Sequence, residues 1–232
     1  MGLYDAEVRE LRSNLGARLP HGFVFVNIGA SDGVTGDPIY PFLDSHEPVG
    51  VLVEPVPYVM DRLRANYAGR PGIHFAPVAI SEEPRSLWYV EEGSGSVEYV
   101  MRCLASFSRE QVLASLAGLR TLGDHVSREA AVPADAPSAV LEQAHEGPLI
   151  TDDVESYVRE LPVECVAVPE LLDRYGIDHI DFLNVDVEGF DDKVLAALDW
   201  ERCAPTVVCV ELEGMPAERA AAARAAMADR RF

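Results

Sequence analysis

The spacing of apolar and polar positions along the chain predicts five β-strands in one α/β domain. The predicted strands are the apolar, β-rich runs at residues 23–28, 49–54, 73–80, 180–185 and 206–212. The first, second and fourth runs are each followed by a turn and a helical pattern, as in parallel βαβ units. We therefore predict a doubly wound, mostly parallel sheet with a single domain over residues 1–232.

Helix signals lie at the expected places between these runs. Residues 1–20 have an amphipathic helical pattern, and residues 55–68 form a second one, with Pro57 in its first turn and Gly69 at its end. A further helix is predicted after Pro216. With right-handed crossovers, the strand order reverses beside the first strand and opens a crevice at the carboxyl ends of the strands.

Residues 87–162 do not follow the alternation of predicted strands and helices. They are predicted to be an insertion between strands three and four, because they are too many for an ordinary connection. Ser108 and Gln111 form a capping-box pattern ahead of helical spacing, which predicts a short helix. Residues 127–148 are rich in Ala, Pro and acidic residues, as in mobile loops. Two interpretations stay open: a cap over the crevice that shapes a substrate pocket, or a surface loop.

The charge balance narrows the ligands that the chain can bind. With 39 acidic and 19 basic residues, its formal net charge is −20. Such a field repels phosphate backbones and anionic membranes and mildly favours cationic ligands. The four cysteines lack zinc-site spacing, and no apolar run is long enough to span a bilayer. We expect a cytoplasmic protein that binds neither nucleic acid nor membrane.

The turn after the first strand, GASDG, is built from small residues, so its backbone at Gly29, Ala30 and Gly33 can approach a ligand closely. Its G-x-x-x-G spacing differs from the G-x-G-x-x-G that holds a pyrophosphate. The difference favours a nucleotide-like cofactor without phosphates. The alternative is that the turn only connects a strand to a helix.

Three acidic residues follow predicted strands at the edge where the crevice opens. Glu54 ends the second strand, where a carboxylate can bind both hydroxyls of a ribose, and Asp186 and Glu188 follow the fourth. Each also has a structural interpretation: Glu54 could pair with Arg62 or Arg64, and Asp186 or Glu188 could cap the next helix. Their joint occurrence at strand ends favours a binding site.

Several stretches of the chain resemble FkbM-type methyltransferases, a family of class I enzymes that depend on S-adenosylmethionine. VFVNIGASDG is similar to the family's first motif, VLVEP to its second and APVAIS to its third, and DFLNVDVEGFDDKVL is similar to its most characteristic stretch. Further likeness lies in ASFSREQ and VECVAVPELLDRYGIDHI, so the resemblance covers residues 22–213. It implies a Rossmann-like fold and S-adenosylmethionine as the cofactor.

The resemblance also implies which residues contact the cofactor. They are Asn27, Gly29, Ala30, Ser31, Asp32, Gly33, Glu54, Pro55, Ala79, Ile80 and Asp186. By this resemblance, the turn after the first strand would lie against the methionine part of the cofactor, and Glu54 would bind its ribose. Ala79 and Ile80 would flank its adenine. The chain departs from the pattern at Asn27, where many relatives have Asp, and at Asn184, where Lys or Gln is usual.

The resemblance further implies O-methylation of a hydroxyl group on a small molecule such as a natural product, a sugar or a polyketide. A hydroxyl acceptor needs a base, and Asp186 and Glu188 are the candidate catalytic residues. A divalent metal is not expected, but Asp186, Glu211 and Glu213 offer hard oxygen ligands for one.

Two other functions are alternatives to a methyltransferase. A nicotinamide-dependent oxidoreductase shares the architecture but needs the other glycine spacing. A non-catalytic, cofactor-binding module of a larger biosynthetic assembly is the second alternative.

Class I methyltransferases usually end in an antiparallel hairpin, and this sequence stops where that hairpin would begin. We predict that the hairpin is missing, and an uncovered sheet edge would favour a homo-oligomer or an assembly.

Overall fold

A computed structural model describes residues 14–91, 104–122, 154–212 and 215–230 of the chain. Its ten strands, in chain order, are β1 (Val24–Ile28), β2 (Val49–Val53), β3 (Ile73–Ala76), β4 (Ala79–Ile80), β5 (Ser86–Val90), β6 (Ala105–Ser106), β7 (Val158–Pro162), β8 (Cys165–Val166), β9 (Phe182–Val185) and β10 (Val207–Val210). Five of them form the central sheet, in the order β10-β9-β1-β2-β3, and all are parallel. The predicted parallel sheet, with its reversal of strand order beside β1, is confirmed.

Helices cover both faces of this sheet. They are α1 (Leu43–His46), α2 (Pro57–Asn66), α3 (Arg109–Leu122), α4 (Val168–Tyr175), α5 (Asp191–Ala197), α6 (Trp200–Cys203) and α7 (Ala217–Asp229). Alternate strand residues point to opposite faces, so Phe25 and Phe182 pack towards α1 and α2, whereas Val26 and Leu183 pack towards α4 and α5. The sheet is thus buried on both sides, which leaves its carboxyl edge to hold polar groups.

The third predicted strand is shorter than the sequence indicated. β3 ends at Ala76, and the chain resumes as β4, which leaves the central sheet and pairs in parallel with β8. Pro77 separates the two segments, and proline has no N–H for a ladder hydrogen bond. The prediction of one strand over residues 73–80 was therefore wrong in its second half.

The helix predicted after the first turn is also much reduced. Between β1 and β2 the chain forms only a 3-10 turn (Tyr40–Phe42) and the four-residue α1. Gly33, Gly36 and Pro38 occupy this connection and disfavour a longer helix. The loop that remains, residues 29–39, lies against the carboxyl edge of the sheet.

The insertion contains a small antiparallel sheet that the sequence pattern did not reveal. β5 pairs with β7 along its whole length, from Ser86 opposite Pro162 to Val90 opposite Val158. β6 pairs with the other edge of β5. The helix predicted after Ser108 is α3, and the Ser108 hydroxyl accepts a hydrogen bond from the backbone N–H of Gln111 at 3.2 Å. The predicted mobile segment, residues 127–148, lies outside the described residues.

Both ends of the chain are described only in part. Of the helix predicted over residues 1–20, residues 14–16 are helical and residues 1–13 lie outside the described residues. At the other end, α7 follows Pro216 as predicted. Within the described ranges, β10 is an edge strand without an antiparallel neighbour, and no helix there is long and apolar enough to cross a membrane.

Candidate functional site

A crevice that is open to solvent on one side lies at the carboxyl ends of β1, β2 and β9. This is the switch point where the strand order reverses. Eight of the residues predicted to bind a cofactor line it: Gly29, Ala30, Ser31, Glu54, Pro55, Ala79, Ile80 and Asp186. The crevice therefore joins residues that are far apart in sequence into one site.

The glycine turn brings the ends of three strands together. A Cβ atom on Gly29 would lie 1.7 Å from the carbonyl oxygen of Asp186, and the φ of Gly29 is +83°. The N–H groups of Gly29 and Ala30 both donate to the carbonyl of Val53, each at 3.0 Å. Only glycine allows this approach of β1 to β9, since any side chain at residue 29 would force the two strands apart.

Glu54 points into the crevice and is almost fully buried. One carboxylate oxygen accepts a hydrogen bond from the N–H of Ser31 at 3.1 Å, and the other accepts from the N–H of Val56 at 2.8 Å. Burial raises the pKa of Glu54 to about 7. The alternative of an ion pair with Arg62 or Arg64 is not what the structure shows, because the described partners of Glu54 are backbone groups.

Three other predicted residues lie beneath the crevice instead of lining it. Asp32 accepts hydrogen bonds from the N–H groups of Val34 and Thr35 at 3.0 and 2.8 Å, so it holds the loop in shape. A Cβ on Gly33 would lie 2.4 Å from the ring of Tyr67, so that glycine packs against α2. Asn27 belongs to β1 and is fully buried, and its side-chain amide donates to Asp37 in the loop.

Asp186, Glu188 and Glu211 form an acidic cluster at the ends of β9 and β10. One carboxylate oxygen from each lies within 4.8 Å of the others. The Asp186 side chain is partly exposed, but the surrounding protein atoms reduce the hydration of its carboxylate and so raise its pKa. Burial raises the pKa of Glu188 to about 7. A hydrogen bond joins the carboxyl groups of Asp186 and Glu211, and burial together with the Asp186 charge holds the pKa of Glu211 far above its usual range. A hydrogen bond between two carboxyl groups requires a proton on one of them.

This cluster overlaps the predicted metal ligands but is not the same set. Asp186 and Glu211 are brought together as expected, and Glu188 lies beside them. Glu213 lies outside the described residues. Carboxylate oxygens at this spacing suit a hard divalent cation.

The comparisons with known proteins identify the family. The profile of the Methyltransferase FkbM domain matches residues 27–232. The chain belongs to the FkbM methyltransferase family. No curated protein and no solved structure matches the chain. The match supports a methyltransferase, and the resemblance of the motifs is confirmed over nearly the whole domain.

In this FkbM domain, Asp191 holds the loop after β9, and not Asp186 or Glu188, for which helix capping was the alternative interpretation. The N-cap of α5 is Phe190, which makes no side-chain capping bond. Asp191 instead accepts hydrogen bonds from the N–H groups of Val187 and Gly189, at 3.0 and 3.1 Å. Neither Asp186 nor Glu188 is needed as a cap, which leaves both carboxylates available to a ligand.

The insertion contributes one wall of the FkbM crevice. The Ser106 hydroxyl donates to the carbonyl oxygen of Glu188 at 3.1 Å. The ring of Phe107 meets that of Phe190 edge to face, with centroids 5.0 Å apart, and Arg85 lies over both rings. The insertion thus fixes the loop that carries Glu188, whose φ of +50° is strained for a residue with a side chain.

Among the crevice-lining residues that sequence reasoning missed are Asp37, Asn184, Phe107 and Phe190. Asn184 was noted only as a departure from the family pattern. Asp37 lies in the stretch GVTGDP, which has no recognisable motif. Phe107 and Phe190 reach the crevice only through the packing of the insertion against the loop after β9.

Proposed function

We propose that this FkbM domain is an S-adenosylmethionine-dependent O-methyltransferase that acts on a hydroxyl group of a small molecule. The observation that supports this most is the charge of the crevice. Three carboxylates line it, those of Asp37, Glu54 and Asp186, and no lysine, arginine or histidine is among its described lining residues. Such a site suits a sulfonium cation and disfavours the pyrophosphate of a dinucleotide.

The residues of the crevice fit the parts of that donor. Each Glu54 oxygen accepts one backbone hydrogen bond and retains lone pairs for the two ribose hydroxyls. Ala79 and Ile80 provide apolar surface for the adenine. The turn at Gly29, Ala30 and Ser31 has no bulky side chain, so a ligand can lie directly on its backbone.

The chemistry asks little of the protein beyond alignment and one proton transfer. S-adenosylmethionine supplies an activated methyl group, and the protein has to orient the acceptor oxygen and exclude water. Asp186 lines the crevice, and Glu188 lies beside it. Either carboxylate can accept the hydroxyl proton, and the pKa of Glu188 near 7 suits a base that works at neutral pH.

The net charge of −20 bears on the acceptor. A strongly acidic protein repels nucleic acids and anionic membranes, so a small neutral or cationic acceptor is favoured. A divalent ion held by Asp186, Glu188 and Glu211 would serve to bind the acceptor oxygen, but the base mechanism does not require it.

The proposal is tested by turnover. The purified chain is incubated with S-adenosylmethionine and a panel of sugars, phenols and polyketide-like alcohols, and S-adenosylhomocysteine is measured by mass spectrometry. We expect acceptor-dependent product that the Asp186→Asn variant does not form, and equal rates with and without a chelator. Product formation without any acceptor dependence, or reduction of a nicotinamide dinucleotide instead, would contradict the assignment.

A further inference from the structure

A second pocket lies beside the crevice, and the proposed function has not used it. Ile80 and Phe190 line both cavities, so the two share a wall. The rest of the second pocket is lined by the segment after β4, by the start of α4 and by α5. A molecule whose reacting hydroxyl lies at Asp186 in the crevice can therefore extend past Phe190 into this pocket.

Two cationic side chains, those of Arg85 and Lys193, line the second pocket and converge on its shared wall. The guanidinium carbon of Arg85 lies 5.4 Å from the centroid of the Phe190 ring, and Nζ of Lys193 lies 5.5 Å from the same centroid. Cation–π contacts orient these charges but do not pair their N–H donors with an acceptor oxygen. The pocket thus presents two positive charges beside one aromatic ring, in a chain whose net charge is −20.

Neither cation is closely paired with a carboxylate of the described chain. Arg85 has Glu83 as its ion-pair partner at 3.7 Å, which is longer than a hydrogen bond, and the Glu83 side chain is 78% exposed. Asp192, the chain neighbour of Lys193, instead accepts from two guanidinium nitrogens of Arg219. In the described part of the chain, no carboxylate lies within ion-pair distance of the Lys193 ammonium. Both cations therefore keep N–H donors for a ligand.

The acidic residues of the same pocket indicate which anion fits. Glu82 and Glu83 also line it, so its four ionisable side chains balance in formal charge. A dianionic phosphate would bring one negative charge more than a carboxylate to this balanced set, and is disfavoured. A carboxylate adds a single charge, and its two oxygens can accept the paired N–H groups of a guanidinium together with one from an ammonium.

We propose that Arg85 and Lys193 bind a carboxylate of the acceptor, so that the acceptor is a small hydroxy acid whose hydroxyl lies in the crevice. This inference rests on the proposed function, since it takes the crevice to be the place of methyl transfer. The net charge of −20 favours neutral or cationic acceptors at long range, and these two side chains provide a local exception for one carboxylate.

The direct test compares aromatic and aliphatic hydroxy acids with the corresponding hydroxy amides as methyl acceptors, with S-adenosylmethionine as the donor. We expect kcat/KM to be about ten-fold higher for the acids, mainly through a lower KM, as for one charge-assisted hydrogen bond. Lys193→Gln and Arg85→Gln should each lose most of this preference, whereas Lys193→Arg should retain it. Arg64→Gln, the same change at an exposed position on α2, should keep the full preference.

A second readout does not depend on turnover. Lys193 is the only lysine of the chain, so acetylation of its amine, located by mass spectrometry, reports on this pocket alone. A bound carboxylate would cover the ammonium. We expect the hydroxy acids that are methylated to slow the acetylation of Lys193, and their amides to leave it unchanged.

The outcomes separate this inference from the function on which it rests. Equal kcat/KM for acids and amides, or methylation of neutral alcohols but of none of the acids, overturns the carboxylate site and leaves the methyltransferase assignment standing. A full preference in a folded Lys193→Gln variant, or unchanged acetylation of Lys193 beside a methylated acid, overturns the site as well. If no compound is methylated, the hydroxy-acid class is overturned, and failure of the chain to bind S-adenosylmethionine overturns the methyltransferase assignment itself.

Discussion

Gly29 and Asp186 are in contact through their backbones, since a Cβ at residue 29 would lie 1.7 Å from the Asp186 carbonyl oxygen. The Gly29→Ala substitution must therefore separate β1 from β9 at the crevice and also strain a φ of +83°. We expect a loss of about 2–4 kcal/mol in the free energy of unfolding, measured by urea denaturation. Binding of S-adenosylmethionine should weaken at the same time.

The control for this substitution is Gly69→Ala, at a φ of +78° with no atom within 4 Å of the added Cβ. It carries the same backbone strain without the collision, so it should cost about 1 kcal/mol and leave ligand binding intact. Similar losses for both variants would show that the approach of Gly29 to Asp186 is not tight.

Ser106 is expected to position the loop that carries the candidate base. Ser106→Ala removes the hydrogen bond to the Glu188 carbonyl and should cost about 1 kcal/mol of stability. Because the strained Glu188 backbone is then less well held, we expect a lower kcat and a higher KM for the acceptor. Ser108→Ala removes the α3 cap at a similar cost of about 1 kcal/mol but does not touch Glu188. Equal kinetic effects of both variants would argue against positioning.

Glu188 should control how the methylation rate depends on pH. A general base works only when ionised, so the rate should rise with pH and level off above about 7, where the pKa of Glu188 lies. Glu188→Gln should lower kcat about 10²- to 10⁴-fold and remove this rise, with unchanged donor affinity. The exposed Glu201→Gln variant serves as the control. An unchanged pH profile in Glu188→Gln would assign the base to another group.

The ligand-free protein should become less stable as the pH rises through the raised pKa values. Burial raises the pKa of Glu54 from 4.5 to about 7, so the folded state binds this proton more tightly than the unfolded chain. Its contribution to stability is complete below pH 4.5 and is lost as the pH approaches 7. Between pH 5.5 and 7.5, the loss in Glu54→Gln should be smaller by roughly 1 kcal/mol, measured by urea denaturation. Parallel losses in both proteins would contradict the burial effect.

Much of the sheet could be predicted because its signals are local. An apolar run followed by a turn marks β1, β2 and β9, and the reversal of strand order follows from the handedness of the crossovers. The placement of Glu54 and Asp186 at the crevice follows from the same reasoning, since both end strands at one edge.

The rest depends on contacts between distant segments. β5 and β7 have five residues each and β6 has two. Because their pairing partners lie far apart in the chain, no local sequence pattern predicts these strands. Asp37 and Asn184 become neighbours of one site only because β1 and β9 are adjacent and the loop after β1 folds back on Asn27. The acidic cluster likewise needs β10 beside β9 to bring Glu211 to Asp186.

The central claim is that the crevice binds a positively charged methyl donor without phosphates. Titration calorimetry of the purified chain with S-adenosylmethionine, and separately with a nicotinamide dinucleotide, tests it most directly. We predict saturable binding of S-adenosylmethionine at one site per chain, strongly weakened in Glu54→Gln, and no heat from the dinucleotide. Binding of the dinucleotide, or no binding of S-adenosylmethionine by the folded protein, would contradict it.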